Sequence, residues 1–162
     1  MINKKIKVAV IGATGYTGLD LVFLLTKHPK IKIEYLCATK NLGKNISFFD
    51  KRIKKKLPKI SSINKIEWHN INLIFLSLPN GEAQKIINKT YHKYKHLRYI
   101  DLSADFRIEN PNIYKKNYKL NHKAKKLINN SIYAISELSK KTIGNYRITA
   151  NPGCYPTSIQ LP

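Results

Sequence analysis

The amino-acid sequence predicts an α/β protein with a doubly wound, mostly parallel sheet. The apolar run Ile6–Ile11 is typical of a buried strand, and a glycine-rich turn at residues 12–18 follows it directly. Apolar residues then recur at helical spacing until shortly before Pro29, and a second apolar strand is predicted at residues 31–38. A strand, a glycine-rich turn, a helix and a second strand in this order indicate a Rossmann-like βαβ unit.

The rest of the chain continues the alternation of strands and helices. Asn80 is predicted to cap a helix that extends to about Tyr94, and Ser136 to begin a short helix that ends near Gly144. Residues 46–67 are basic and are expected to add a short strand or two. Residues 111–130 are rich in lysine and give no clear prediction. Further strands are predicted at residues 71–78, 98–102, 131–135 and 146–150.

The strongly basic composition raises the question of nucleic-acid binding. Lysine and arginine total 30 residues against 9 acidic ones, which gives a formal net charge of +21. Only four of the basic residues are arginine, the lysines are spread along the whole chain, and no nucleic-acid motif is found. Abundant Lys, Asn and Ile together are typical of AT-rich coding sequences. We therefore predict no specific nucleic-acid partner, although nonspecific attraction to anions remains open.

The apolar and cysteine content predicts a globular protein of a reducing compartment. Hydrophobic residues make up 43% of the chain, no apolar run is long enough to cross a bilayer, and the N-terminal residues do not resemble a signal peptide. We therefore predict a cytoplasmic protein without a membrane partner. Cys37 and Cys154 are too few for a disulfide framework, and no metal-ligand spacing is found, so no metal site is predicted.

The glycine-rich turn predicts a dinucleotide site, with a purely structural turn as the alternative. Glycines at such a turn let the backbone approach a pyrophosphate, and the following helix N-terminus faces its charge. After the second strand, Thr39 and Lys40 stand where an NAD-type fold places a carboxylate, which favours NADP(H). Cys37 is predicted to lie in the core. The predicted cofactor-binding residues are Gly12, Thr14, Gly15, Tyr16, Thr17, Gly18, Thr39 and Lys40.

Two polar segments follow later strands. Cys154 comes after a Pro-Gly turn and just before Pro156, which suits the first turn of a helix. A thiol at a helix N-terminus lies near unpaired backbone N–H groups, which favours the thiolate, so Cys154 is a candidate nucleophile; a buried structural cysteine is the alternative.

Residues 103–107 follow another strand at the edge where ligands of open α/β sheets bind. A surface ion pair between Asp105 and Arg107 is the alternative there.

The order of these motifs closely resembles the N-acetyl-gamma-glutamyl-phosphate reductase family of arginine biosynthesis. The resemblance covers essentially the whole chain and includes the glycine turn, the Thr39-Lys40 and Gly43-Lys44 pairs and Phe75-Leu76-Ser77-Leu78-Pro79. Its most specific parts are Ser103-Ala104-Asp105-Phe106-Arg107 and Asn151-Pro152-Gly153-Cys154-Tyr155-Pro156-Thr157. Lys40 stands where the family commonly has Arg, and residues 133–137 depart from the family's Tyr-Gly-Leu-Pro-Glu.

The resemblance implies a reaction and a set of site residues. Cys154 would attack an acyl phosphate, phosphate would leave, and NADPH would reduce the resulting thioester to an aldehyde. Ser77 and Pro79 are implied as further cofactor contacts, and Ser103, Arg107 and Asn151 as substrate contacts. Arg107 would hold the departing phosphate, because a planar guanidinium suits bidentate anion contacts.

The resemblance also implies that part of the protein is missing. We expect an NADP-binding domain at residues 1–150 and, at residues 151–162, only the start of the catalytic domain that carries the cysteine helix. Family members continue into a second α+β domain for catalysis and dimerisation, which supplies a histidine that no residue here matches. We therefore expect a fragment with little turnover of its own, from an intact protein that forms a homo-oligomer.

Three other functions remain open. The carrier-protein-linked aminoadipyl or glutamyl phosphate reductase of lysine biosynthesis shares this motif set, and its acidic carrier would suit a basic surface. Aspartate-semialdehyde dehydrogenase fits less well, because its cysteine lies in a different local motif. A noncatalytic nucleotide-binding or polyanion-binding module is the alternative from another class.

Overall fold

The computed structural model describes residues 5–161, which contain alternating parallel strands and helices. The predicted α/β, Rossmann-like fold is thereby confirmed. The domains predicted from the sequence begin at residue 1 and end at residue 162, and residues 1–4 and 162 lie outside the described residues. The strands are β1 (Ile6–Ile11), β2 (Ile31–Cys37), β3 (Ile60–Ser61), β4 (Leu73–Leu76), β5 (Arg98–Asp101), β6 (Ser131–Tyr133) and β7 (Ile148–Ala150); the helices are α1 (Tyr16–Lys27), α2 (Glu82–Thr90), α3 (Pro111–Tyr118) and α4 (Cys154–Gln160).

The chain divides into two compact units, and the first of them ends at Ser77. Its strands lie in the order β3-β2-β1-β4, and every pairing is parallel. Strand β1 is central in this unit, with Val10 paired to Leu36 on one side and to Phe75 on the other, and its residues from Val8 to Ile11 are buried. Helix α1 packs through its buried face, which includes Val22.

The second unit begins at Leu78 and has its own parallel strands in the order β5-β7-β6. Ile148 of the central strand β7 is paired with Tyr99 on one side and Ser131 on the other. Tyr99, Phe106 and Tyr114 are among the largest fully buried side chains of the protein. These three aromatic residues pack in the core of this unit together with aliphatic residues such as Ile87 and Leu97.

Helix α3 was missed and the helix predicted from Ser136 is not formed, whereas the short strand expected within residues 46–67 is confirmed. Helix α3 was not predicted, although Asn110 caps it by accepting from the backbone of Asn112 and Ile113, and Pro111 occupies its first position. The helix predicted from Ser136 is wrong: that segment forms turns and a single 3-10 turn at Ile143–Asn145. Residues 46–67 add only the two-residue strand β3 and several 3-10 turns. Among the described residues, no helix has the length and apolar character needed to span a membrane.

Candidate functional site

The glycine-rich turn joins β1 to α1 in the first unit. Gly12 adopts a φ of 87°, a conformation that favours glycine. Gly18 lies so close to the turn that a Cβ atom on it would be 2.1 Å from the Gly12 carbonyl oxygen. The start of α1 at Tyr16 carries no side-chain cap and no acidic residue in its first turn. The turn therefore has the backbone approach and the open helix N-terminus that a pyrophosphate needs.

Two backbone hydrogen bonds attach this turn to the end of β2. The N–H groups of Gly12 and Ala13 both donate to the Cys37 carbonyl oxygen, at 2.9 and 3.1 Å. Beyond Cys37, the exposed Thr39 and Lys40 begin a loop whose far end is fixed to β3 through Gly43 N–H and the Ile60 carbonyl at 2.8 Å. The residues that sequence reasoning assigned to the adenosine end of a dinucleotide are thus held next to the glycine turn.

The remaining predicted cofactor residues show mixed exposure. Thr14 is half-buried, whereas Gly15, Tyr16 and Thr17 are exposed. Ser77 follows β4 and donates its backbone N–H to the Ile11 carbonyl at 2.8 Å, so it lies at the same end of the strands as the turn. Pro79 is exposed and belongs to the second unit.

Cys37 and Cys154 have opposite surroundings. Cys37 is buried as predicted, and burial raises the pKa of its thiol to about 11, which makes it unreactive at neutral pH. Cys154 is exposed and is the first residue of α4. The preceding Gly153 accepts two hydrogen bonds at its carbonyl oxygen, from Thr157 N–H at 3.2 Å and from the Thr157 hydroxyl at 2.8 Å. The thiol of Cys154, the candidate nucleophile, is therefore presented to solvent at the end of a hydrogen-bonded turn.

The half-buried Arg107 lies against this turn. Its Nε donates to the Asn151 carbonyl oxygen at 2.8 Å, and its Nη2 donates to the Leu102 carbonyl at 3.1 Å. Among residues 5–161 it has no ion pair with a carboxylate. The alternative of a surface ion pair with Asp105 is wrong, because Asp105 is fully buried and accepts other donors. Arg107 thus brings an unneutralised positive charge to the Cys154 turn.

Asp105 caps the N-terminus of α2, although it lies far from this helix in the sequence. Its carboxylate accepts from the backbone of Gly81 at 2.7 Å and of Gln84 at 3.0 Å, and from the Tyr114 hydroxyl at 2.7 Å. The predicted cap, Asn80, instead accepts weakly from Ala104 N–H at 3.4 Å. The prediction that Asn80 caps the helix is therefore wrong, because a buried carboxylate supplies more acceptors than one amide oxygen.

Ser103 and Asp101 form a second buried pair near the end of β5. The Ser103 hydroxyl and N–H donate to Asp101 Oδ1 at 2.6 and 2.9 Å. Among the described residues Asp101 Oδ2 has no hydrogen-bond partner, and burial raises the pKa of Asp101 to about 6. The Asp101 carbonyl accepts from Asn151 N–H at 2.8 Å. These contacts connect residues 101–107 to the turn before Cys154.

Among the described residues, neither a histidine nor a metal-binding cluster is seen to contribute to this site. His122 is buried, its Nε2 lies 2.7 Å from the Asp105 carbonyl oxygen, and its Nδ1 accepts from Ala124 N–H. Burial lowers the pKa of His122, which favours a neutral ring in a structural role. In the part of the chain that the structure describes, no group of three or more His, Cys, Asp or Glu residues could hold a metal ion.

One open cleft of the second unit borders Arg107 but not Cys154. It has a volume of about 550 Å³ and is also lined by Asn110, Ser131, Tyr133 and Tyr146. This volume suits a small molecule. Its lining lacks the nucleophile, so this cleft does not by itself form a reaction site.

Curated relatives match nearly the whole chain. N-acetyl-gamma-glutamyl-phosphate reductase of Ehrlichia canis is 42% identical over 160 residues, which are 98% of this chain and 45% of that protein. The probable chloroplastic N-acetyl-gamma-glutamyl-phosphate reductase of Oryza sativa is 38% identical over 161 residues, which are 99% of this chain and 38% of that protein. The chain thus spans less than half the length of these relatives.

Solved structures support the fold, and a family model identifies it. Aspartate semialdehyde dehydrogenase II of Vibrio cholerae matches with a TM-score of 0.64 at 17% identity, over 94% of this chain and 39% of that one. The Candida albicans aspartate semialdehyde dehydrogenase with NADP matches with a TM-score of 0.56 at 19% identity, over 94% of this chain and 44% of that one. The sequence model of the semialdehyde dehydrogenase NAD-binding domain matches residues 7–146. The chain therefore belongs to the semialdehyde dehydrogenase NAD-binding domain family.

Proposed function

We propose that this chain is part of an NADPH-dependent enzyme that converts N-acetyl-gamma-glutamyl phosphate to N-acetylglutamate 5-semialdehyde and phosphate, a step of arginine biosynthesis. Relatives 42% and 38% identical carry the name of that reductase. The observation that carries the proposal is the exposed Cys154 at the start of α4, which follows a turn that the guanidinium of Arg107 contacts at the Asn151 carbonyl. Membership in a dehydrogenase family alone would not select an acyl phosphate over other substrates.

Cys154 acts as the nucleophile in this proposal. Its thiolate forms a bond to the acyl carbon, the carbon–oxygen bond to phosphate breaks, and phosphate leaves with the electron pair. A thioester on Cys154 remains. When bound, NADPH would supply the hydride that reduces this thioester to the aldehyde, and the Cys154 sulfur would leave the former acyl carbon as the thiolate. Cys37 takes no part, because its thiol is buried and stays protonated.

Arg107, Asn151 and Ser103 are proposed to shape the substrate site. Arg107 would neutralise the departing phosphate, since its charge has no carboxylate partner among residues 5–161. Asn151 is half-buried and directly precedes the cysteine turn. Ser103 is 5% exposed and its hydroxyl already donates to Asp101, so its contribution would be to hold the loop that carries Arg107.

The glycine turn is proposed to hold NADP(H). The residues present fit the group, because the start of α1 has no side-chain cap and no acidic residue in its first turn, and because Gly18 lets the helix pack closely against the Gly12 turn. Thr39 and Lys40 would bind the 2′-phosphate, which a carboxylate at the same place would repel. Ser77 and Pro79 would lie beside the cofactor.

The test measures acylation of Cys154 on the chain itself. Purified protein is mixed with N-acetyl-gamma-glutamyl phosphate without NADPH, released phosphate is measured, and the acylated peptide is located by mass spectrometry. We expect one acyl group on Cys154 and an equal amount of phosphate. Cys154→Ser should abolish both, whereas Cys37→Ser should leave both unchanged. Equal phosphate release by the Cys154→Ser variant would contradict the proposal.

The same assay distinguishes the proposed substrate from its rival. An acyl phosphate linked to an acidic carrier protein, as in lysine biosynthesis, is compared with N-acetyl-gamma-glutamyl phosphate at equal concentration. Faster acylation by the carrier-linked substrate would replace the proposed substrate and keep the chemistry. Absence of acylation by either, together with salt-sensitive binding of duplex DNA, would favour a noncatalytic polyanion-binding module.

A further inference from the structure

The guanidinium of Arg107 is fixed by backbone carbonyls rather than by a carboxylate. Its Nε and Nη2 donate to the carbonyl oxygens of Asn151 and Leu102, at 2.8 and 3.1 Å. Leu102 follows β5 and Asn151 follows β7, two neighbouring parallel strands. One planar side chain therefore joins the ends of both strands just before the nucleophile. A guanidinium can do this because its donors form a rigid fork, which an ammonium group lacks.

The side chain of Arg107 also accounts for the presence of a glycine at position 153. Gly153 adopts a φ of −72° and a ψ of 172°, which any residue can adopt, so its backbone conformation does not require glycine. A Cβ atom on it would lie 3.0 Å from Nη1 of Arg107. The absence of a side chain at Gly153 thus lets the guanidinium pack directly against the backbone beside Cys154.

We propose that Arg107 is a positioning residue for Cys154, in addition to any contact with phosphate. By holding the Asn151 carbonyl and packing on Gly153, the guanidinium keeps the turn in the conformation from which α4 begins. The thiol of Cys154, which is the first side chain of α4, then stays exposed to solvent. This role concerns the free chain and needs neither cofactor nor substrate, so it stands or fails independently of the proposed reductase activity.

The test is the rate of alkylation of Cys154 by iodoacetamide in the 162-residue chain at one fixed pH, followed by mass spectrometry. Arg107→Lys keeps the charge but loses the fork that reaches two carbonyls. Gly153→Ala keeps Arg107 but adds a Cβ atom that crowds its Nη1. The end of the arginine side chain is flexible, so it can move away from this atom. Arg98→Lys is the matched control, because Arg98 Nη1 also donates to two carbonyls, those of Gly144 and Tyr146, at 3.0 Å each.

We expect Arg107→Lys and Gly153→Ala each to slow alkylation of Cys154 roughly threefold or more, since small displacements of a reactive group have large effects on rate. The double variant should be no slower than the slower single variant, because both remove one shared contact. Arg98→Lys should react at the rate of the unchanged chain. Protection of the buried Cys37 in every variant, together with an unchanged urea midpoint, verifies that the fold is intact.

The proposal is overturned if Arg107→Lys reacts as fast as Arg98→Lys or faster, or if the two single effects multiply in the double variant. A variant that fails to fold is replaced by Arg107→Ala with added guanidinium chloride at a concentration that does not denature the chain. Free guanidinium ion should then restore part of the alkylation rate, whereas sodium chloride at the same concentration should not. Equal effects of the two salts would also overturn it.

Discussion

The carboxylate of Asp105 lies 2.7 Å from the backbone nitrogen of Gly81, although the two residues are 24 positions apart. This contact fixes the start of α2 to the loop that carries Arg107. Since Asp105 is fully buried, its three donors have no access to water as a substitute partner.

Replacement of Asp105 by alanine should destabilise the protein strongly. It would leave the N–H groups of Gly81 and Gln84 and the hydroxyl of Tyr114 without their acceptor in a buried place. We expect the free energy of unfolding to fall by about 3 kcal/mol, measured by urea denaturation. Asp20→Ala, at an exposed position, is the control and should leave the urea midpoint nearly unchanged; an equal loss in both variants would contradict the assigned role.

Asp101 should make stability depend on pH. Burial raises its pKa from 3.8 to about 6, so the folded state binds its proton more tightly than the unfolded state does. The stabilisation is complete below about pH 4 and is lost as the pH rises through about 6, a total of about 3 kcal/mol. In urea denaturation, the unchanged chain should lose about 1 kcal/mol more between pH 5 and pH 8 than Asp101→Asn does. Identical pH dependence of the two proteins would refute this.

Gly18→Ala should disrupt the glycine turn. Its Cβ atom would lie 2.1 Å from the Gly12 carbonyl oxygen, a backbone atom that cannot move without shifting β1 or α1. We expect a loss of stability of about 3 kcal/mol or more and no measurable NADPH binding by fluorescence titration. Gly144→Ala is the matched control, since nothing lies within 4 Å of its added Cβ atom. It should retain both stability and NADPH binding.

Lys40→Ala should reduce the affinity for NADPH and leave the affinity for NADH unchanged. Only NADPH carries the 2′-phosphate that Lys40 is proposed to contact, and one charge-assisted contact accounts for roughly tenfold in the dissociation constant. Titration with each nucleotide at fixed salt measures the ratio. Lys30→Ala, at the other end of β2, should change neither affinity, and equal losses in both variants would indicate nonspecific attraction.

Turnover by the 162 residues alone should be little or none. No histidine of this chain corresponds to the base that the resemblance implies, and the described His122 is held by the Asp105 carbonyl and Ala124. The measurement is NADP-dependent oxidation of N-acetylglutamate semialdehyde in the presence of phosphate. An ordinary enzymatic rate from this chain would show the prediction to be wrong.

The fold could be predicted from sequence where local signals were strong. Strand β1 is a continuous apolar run, and its buried residues Val8, Ala9 and Val10 are the ones that the run suggests. Helix α3 escaped prediction because it buries only Tyr114, so it has little apolar periodicity. The signal that could have found it is the cap formed by Asn110 together with Pro111.

The sequence singled out residues of the candidate site but not the contacts between them. Cys154 was identified from its turn, and it is exposed at the first position of α4. Nothing local in the sequence indicates that Asp105 caps α2 or that Arg107 packs on Gly153, because these contacts join positions 24 and 46 residues apart. Such distant pairs are set by the packing of strands and loops, which a single sequence does not reveal.

The carbonyl oxygen of Cys37, which accepts hydrogen bonds from both Gly12 and Ala13, affects how a nucleotide would bind. Because the N–H groups of Gly12 and Ala13 donate to one carbonyl at the end of β2, the glycine turn is already attached to this strand before any ligand arrives. Little conformational entropy is then lost on association, and the affinity of this half of the molecule depends mainly on the contacts formed. Such preorganisation makes the nucleotide site a rigid receptor rather than one that folds around its ligand.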